Sequence, residues 1–285
     1  MRPVPMVAAV NDISGFGRCS LTVALPVLSA MGLQACPLPT AVLSNHTGYD
    51  DCFFEDFTDR LAPYIGRWKA LGLRFDGIAT GFLGSPAQVQ MILPFLRQFG
   101  EPGAVLLVDP VMADDGKLYA TCDDSLCREM RRLVSLGTVT TPNLTEACLL
   151  AGRDYREVLA LPEAERRQAI FSIGEAIAAI GPGQVVITGV HDGEDAIANA
   201  VMDRTRGERF FVSTPRVARS YAGTGDVFAS VMFGWLVRRV PLREAVTRAA
   251  DFVQRVTAYS YEHSLPPLDG IAFEPFLHEL LEGSD

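Results

Sequence analysis

Residues 220–230 read SYAGTGDVFAS. Gly223, Thr224 and Gly225 let the backbone approach a partner closely, and the apolar spacing from Val227 to Leu236 is helical, so the run marks the start of a helix. A helix start exposes unpaired N–H groups and the positive end of a dipole, which attract anions, phosphate above all. Asp226 then sets a carboxylate beside an anion site. The conflict disappears if the carboxylate is a base and the anion is in transit. The plain alternative is that Asp226 caps the helix and the glycines precede it for structural reasons.

The chain has 285 residues, 48% of them hydrophobic and 21% charged, an ordinary globular composition with enough length for a sizeable core. Its 25 Lys and Arg against 34 Asp and Glu give a net charge of −9, with no basic run. That balance argues against a nucleic-acid or anionic-membrane surface, and a bound polyphosphate would call for a metal cation. No apolar run approaches the length of a membrane span, and the opening MRPVPMVAAVND reaches polar residues too early for a signal peptide. The six cysteines lack C-x-x-C spacing, which fits idle thiols in a reducing compartment, so a cytosolic protein is expected.

Short apolar runs alternate with longer amphipathic ones: VPMVAAV before SLTVALPVLSAMG, FDGIATGFLG before PAQVQMILPFLRQFG, AVLLVDPVM before SLCREMRRLVSLG, TVTTPN before LTEACLLAG, and finally QVVITGV. Buried strands separated by helices predict a mainly parallel sheet covered on both faces, a three-layer αβα fold. DAIANAVMD and ERFFVSTPR, joined by RTRG, predict an antiparallel hairpin at the sheet edge. Without a repeat or linker, one domain over residues 1–285 is expected.

Ligands of such sheets bind beyond the carboxyl ends of the strands. There the sequence places Asn11-Asp12, Thr80-Gly81-Phe82, Asp109-Pro110, Thr141-Pro142-Asn143 with Glu146, and Thr188-Gly189. Asp109 ends an apolar run and Asp114 follows in the loop, while Asn143 and Glu146 stand three apart at a helix start. Carboxylates and an amide at adjacent strand ends suit a hard cation, Mg²⁺ when phosphate is also present. As structural elements alone, Asp109 would be a turn residue and Glu146 a dipole partner.

No G-x-x-x-x-G-K-[ST] run is present, so phosphate is held without a P-loop. SGFGRCS has Ser20 where a dinucleotide fingerprint needs its third glycine, and the acidic ribose partner is missing from ACPLPTAVL, which argues against a nicotinamide-dependent oxidoreductase. His191 and His278 read as surface or packing residues.

The order DPVM, TPNLTEA, VVITG and AGTGDVFAS resembles the ribokinase-like superfamily of small-molecule kinases. LSNHTGYDD at 43–51, TGFLGS at 80–85 and DPVMADDGKLY at 109–119 are similar to its pyridoxal kinase branch, and the likeness runs from about residue 7 to about residue 240. The resemblance implies ATP-dependent phosphorylation of the 5′-hydroxymethyl group of a vitamin B6 ring. By the family pattern Asp226 is the base, with the N–H groups of Gly223, Thr224 and Gly225 as the anion hole. Asp109 and Glu146 would organise Mg²⁺, Asn143 and Thr188 would serve the ATP phosphates, and Asp114 would lie on the loop over the nucleotide. His46, Thr47 and Phe82 match positions that line the vitamin pocket; Phe82 could otherwise be plain core. Members of the family often form homodimers.

Two departures stand out. The first loop, Asp12-Ile13 followed by SGFGRC, is closer to hydroxymethylpyrimidine kinases than to the Ser-His pair usual in pyridoxal kinases, and Ala113 stands where glycine is usual. Asp12 could pair with a substrate cation such as the amine of pyridoxamine, or simply cap the turn that follows. The alternatives carried forward are a hydroxymethylpyrimidine kinase and a non-catalytic protein binding pyridoxal phosphate or nucleotide. The complete set Asp226, Gly223, Gly225, Asp109 and Glu146 argues against the latter. The C-terminal YSYEHSLPPLDGIAFEPFLHELLEG reads as a loop with Pro266-Pro267 and a closing helix, without an assigned role.

Overall fold

The computed structural model describes residues 3–282, so Met1 and Arg2 of the opening segment and residues 283–285 lie outside it. In chain order the elements are β1 (Met6–Ser14), α1 (Ser20–Ala30), β2 (Gln34–Leu43), β3 (Phe54–Asp56), α2 (Thr58–Ala70), β4 (Phe75–Thr80), α3 (Pro86–Phe99), β5 (Gly100–Val108), β6 (Ala113–Asp114) and β7 (Lys117–Leu118). They continue with α4 (Asp124–Val134), β8 (Val139–Thr140), α5 (Leu144–Ala151), α6 (Tyr155–Ala160), α7 (Glu163–Ala178), β9 (Gln184–Asp192), β10 (Ala196–Asp203), β11 (Glu208–Pro215), α8 (Thr224–Val237) and α9 (Leu242–Glu262).

Nine strands form one sheet in the order β11-β10-β9-β8-β5-β4-β1-β2-β3. From β9 across to β2 every neighbouring pair is parallel. The expected edge hairpin is present, with Asp203 opposite Glu208 across its turn and β10 antiparallel to β9. The other edge is antiparallel too, because β3 returns along β2 from Leu43 to Ala41.

β2, QACPLPTAVL, is a strand absent from the runs singled out in the sequence, and it carries two prolines. The register explains how it pairs. Gln34 donates its N–H to Pro5 on the β1 side, so Pro37 and Pro39, at odd positions, turn their missing donors to the opposite edge. β3 reaches only Leu43, Val42 and Ala41, which leaves that edge open beside both prolines.

Side-chain alternation feeds two cores. Met6, Ala8 and Val10 of β1 face a core completed by residues such as Leu61 of α2, Ile92 of α3, Met130 of α4 and Ile173 of α7. Val7 of β1 and Leu107 of β5 face the opposite core, with Val27 of α1, Phe233 of α8 and Val246 of α9. The result is three layers, helices on both faces of the sheet. α8 lies in the middle of its layer, with every residue from Val227 to Val237 buried. Each large apolar side chain so buried contributes about 1.5–3 kcal/mol, so the helix start is anchored by the core behind it. Gly77 of β4 permits the close approach: a β-carbon there would stand 2.7 Å from Val237 Cγ2 and 2.8 Å from Phe233.

Candidate active site

The parallel strands deliver Asn11, Thr80, Asp109, Asn143 and Thr188 to one sheet edge, and the first turn of α8 arrives over the same edge. Gly223 precedes that turn with φ +77°, and no side chain caps it. Glycine is required there twice over, by the left-handed backbone and by the approach of the first loop, because a β-carbon would stand 1.8 Å from the Arg18 carbonyl oxygen. Gly225 differs. A β-carbon on it would meet nothing within 4 Å. The turn thus has no side-chain cap and borders open space at Gly225, as an anion cradle would.

Asp226 follows in the first turn, half-buried. Its Oδ1 accepts from Asn11 Nδ2 at 3.4 Å. Burial pushes its pKa up to about 6, the charge of Asp12 adds to that, and the nearby polar groups of the Ser20 backbone and Asn11 oppose it. A carboxyl poised there holds and releases a proton near neutral pH.

Asn11 is fixed from the other side. Its Oδ1 accepts the N–H groups of Asp12 at 3.0 Å and Phe82 at 2.8 Å, so the amide must turn its NH₂ toward Asp226. Gly81 makes room for it, since a β-carbon there would stand 2.4 Å from Asn11 Nδ2. A cavity of about 30 Å³, room for one or two waters, lies behind the carboxylates and is lined by Asn11, Thr80, Asp109, Asp226 and Ser230.

Asn143 and Glu146 form a reciprocal cap on α5. Asn143 Oδ1 accepts Glu146 N–H at 2.9 Å, and Glu146 Oε2 accepts Asn143 N–H at 2.9 Å. Glu146 Oε1 also accepts the N–H of Met112 at 2.9 Å, while Asn143 Nδ2 donates to the Ala113 carbonyl at 2.7 Å. The pair thus ties α5 to the loop after β5. Burial pushes the Glu146 carboxyl up to about 8 against those N–H donors. Asp109, at the end of β5, is raised well above the usual carboxylate range by burial and by the charges of Glu146 and Asp226. Thr188 joins this edge through its N–H, which donates to Pro142 O at 2.9 Å. Asp114 is exposed on the β6–β7 hairpin, whose turn places Asp115 and Gly116 at φ +47° and +74°.

A second cluster lies beside the first loop. Asp12 is buried, with Ser20 Oγ donating to Oδ1 at 2.5 Å and Ser14 Oγ to Oδ2 at 2.9 Å. His46 fits between Gly17 and Gly48; its Nδ1 accepts Gly48 N–H at 3.1 Å, so the proton sits on Nε2 and is donated to Leu268 O at 2.6 Å. Thr47 is exposed on that loop, and Phe82 is half-buried at the β4 exit, its carbonyl accepting Thr40 Oγ1 at 2.8 Å.

The C-terminal segment, which had no assigned role, straps these pieces together. Tyr49 donates to Asp269 Oδ1 at 2.9 Å, Arg18 pairs with Glu274 at 2.6 Å and donates its N–H to Asp269 O, and Ala222 N–H donates to Pro267 O at 3.0 Å. The strap thus touches the first loop, the His46 loop and the residue before Gly223. Sequence reasoning also passed over Asn11 as a partner of Asp226. Asn11 had shown itself only as a polar strand exit.

A sheet of this order with an open helix N-terminus facing a carboxylate at the strand ends is the arrangement of ribokinase-like small-molecule kinases. The family model described as phosphomethylpyrimidine kinase matches residues 27–266, and the chain belongs to that family. Pyridoxal kinase of Arabidopsis thaliana is 28% identical over 216 residues, 73% of this chain and 66% of the plant enzyme. A Bacteroides thetaiotaomicron protein assigned as a phosphomethylpyrimidine kinase and solved with pyridoxal is 39% identical and superposes with a TM-score of 0.90 over 97% of this chain and 96% of that one. Pyridoxal kinase of Leishmania donovani in complex with ADP and pyridoxamine, at 22% identity, shares the fold with a TM-score of 0.86 over 97% of this chain and 95% of that one.

Proposed function

We propose that the protein transfers the γ-phosphoryl group of ATP to the 5′-hydroxymethyl group of a vitamin B6 vitamer, pyridoxal, pyridoxine or pyridoxamine. The observation that carries the reading is Asp226, raised to about 6, beside an uncapped helix start with free space at Gly225. As the hydroxyl oxygen bonds to the γ-phosphorus, its proton passes to the Asp226 carboxylate and the bond to the ADP oxygen breaks. The N–H groups of Gly223, Thr224 and Gly225 meet the charge on the transferring oxygens. The pyridoxal kinase relative and the pyridoxal-bound neighbour support the substrate class.

The donor set fits a magnesium ion. Asp109 is raised by burial and by the charges of two carboxylates, Glu146 and Asp226, so a cation would relieve that repulsion. Among the described residues no three His, Cys, Asp or Glu side chains converge on their own, so phosphate oxygens and water would complete the shell. Asp109 would hold Mg²⁺, with Glu146, already accepting backbone N–H groups, reaching it through water. The ion would supply charge neutralisation at the phosphates. Asn143, Thr188 and Asp114 would line the nucleotide side, and His46, Thr47, Phe82 and Asp12 the vitamin side.

The nine-stranded sheet supports one kinase domain over residues 1–285. Among the described residues no helix is long and apolar enough to cross a membrane. A cytosolic homodimer belongs to the same reading. Hydroxymethylpyrimidine phosphorylation is the second reading, favoured by the description of the family model. Coupled ADP release with Mg²⁺-ATP, offering each vitamer and hydroxymethylpyrimidine separately, tests both. Preference for a pyridine is expected; preference for the pyrimidine overturns the vitamer assignment, and silence with all four returns the protein to the binding class.

A further inference from the structure

Gln88 is fully buried in the first turn of α3, yet both ends of its amide have partners outside that helix. Its Oε1 accepts the Gly84 N–H at 2.9 Å, and Nε2 donates to the Thr40 carbonyl and to Thr58 Oγ1, both at 2.9 Å, with Asp56 Oδ1 at 3.4 Å. The Gly84 N–H and the Thr40 carbonyl fix which end of the amide points where. Ser85-Pro86-Ala87-Gln88 has the spacing of a capping box, and Ser85 Oγ accepts the Gln88 N–H at 3.3 Å. In that motif the glutamine returns to the N–H of the capping residue. Gln88 reaches one residue further, into the loop that carries Phe82.

The partners of Gln88 lie at the base of both proposed walls of the vitamin side. Thr40 and Asp56 belong to β2 and β3, whose connection carries His46 and Thr47. Thr40, equally buried, also donates its Oγ1 to the Phe82 carbonyl at 2.8 Å, while Asn11 Oδ1 accepts the Phe82 N–H at 2.8 Å. The Phe82 ring rests beside Gly84, where a β-carbon would stand 3.6 Å from its Cε1. A helix cap needs one acceptor; an amide that joins β2, α2 and the Phe82 loop has a further task.

We propose that Gln88 and Thr40 are positioning residues for the vitamer: together they hold residues 81–85 against β2, so that the Phe82 ring stands as a wall of the vitamin pocket. Gln88 holds the loop at Gly84, and Thr40 holds it at the Phe82 carbonyl. Both side chains are fully buried, so they act through the loop and not on the substrate. A wall that shifts weakens the ground state and the transition state alike, so the loss falls on KM for the vitamer and not on kcat. The inference rests on the proposed kinase reading and on its placement of Phe82 at the vitamin side.

The test compares Gln88→Met, Phe82→Ala and the double variant with the parent protein, using ADP release with Mg²⁺-ATP and the best vitamer, KM for both substrates, and Tm. Methionine keeps the length of the side chain and removes every hydrogen bond of the amide. Gln88→Met is expected to raise KM for the vitamer about fivefold or more, with kcat and KM for ATP within about twofold. Because Gln88 acts through Phe82, the double variant should lie within about twofold of Phe82→Ala alone. A folded Gln88→Met with a lowered Tm and an unchanged vitamer KM overturns the proposal and leaves Gln88 as a packing residue. Equal rises in both KM values, or effects of Gln88→Met and Phe82→Ala that multiply in the double variant, overturn it as well. If Gln88→Met does not fold, Thr40→Val removes only the hydroxyl on the Phe82 carbonyl and should still raise the vitamer KM; no change there counts against the pair. A parent protein inactive on every substrate defeats the kinase reading alone. The crystal structure of Gln88→Met or Thr40→Val then reads the positioning: the Phe82 ring leaves its place beside Gly84 if the pair holds it, and stays if it does not.

Discussion

The Arg18 carbonyl oxygen lies against the bare face of Gly223, where a β-carbon would stand 1.8 Å away, whereas a β-carbon on Gly225, two residues on, would meet only open space. The two glycines of one motif therefore have different tasks. Gly223→Ala should destabilise the fold by more than about 2 kcal/mol, the left-handed penalty plus the collision, and lower Tm. Gly225→Ala should leave Tm unchanged or slightly higher while kcat falls about 10²-fold, because its methyl group intrudes where phosphate belongs. Thermal melts beside ADP release separate the two, and equal Tm losses would refute the distinction.

Asp226 sets a pH dependence. With its carboxyl raised to about 6 by burial, the base is ionised above that pH and protonated below it, so kcat/KM should fall on the acid side of about pH 6. Asn11 donates to the ionised form and holds the value down. Asn11→Ala should therefore move the acid limb to higher pH, and a limb that moves to lower pH contradicts the arrangement.

Asp109 and Glu146 should separate under mutation. Glu146 accepts N–H groups from Asn143 and Met112, so Glu146→Ala leaves buried donors unpaired and should cost about 2 kcal/mol of stability. Asp109→Asn removes repulsion and should leave Tm level or higher while raising the Mg²⁺ concentration needed for half-maximal rate. Titration of Mg²⁺ against rate checks this; an unchanged requirement in Asp109→Asn excludes it as a ligand.

His46 ties its loop to the strap through Leu268 O and Gly48 N–H. His46→Ala should raise KM for the vitamer about tenfold, equivalent to about 1.4 kcal/mol, and leave KM for ATP unchanged. Equal effects on both substrates would mean that the loop does not belong to the vitamin pocket.

Much of this was legible in the sequence because the parallel strands are continuous apolar runs and each ends in a polar residue: Asp109 after AVLLV and Thr188 after QVVI lie at the expected edge. β2 was hidden by Pro37 and Pro39, whose tolerance depends on an open edge that only the register reveals. The GTGD turn was readable as a helix start, but its tightness against Arg18 joins residues 205 positions apart, and the reach of Asn11 to Asp226 joins residues 215 apart. Ser20 was read as a failed third glycine. Its left-handed backbone keeps a glycine-like shape, and its hydroxyl has a partner eight residues back that no local pattern announces.

The most direct measurement is kcat of Asp226→Asn with Mg²⁺-ATP and the preferred vitamer, with ATP binding followed in parallel. A fall of about 10²–10⁴-fold with ATP affinity retained is the expected result for a positioned base. A loss below about tenfold would contradict the assignment of Asp226 as that base.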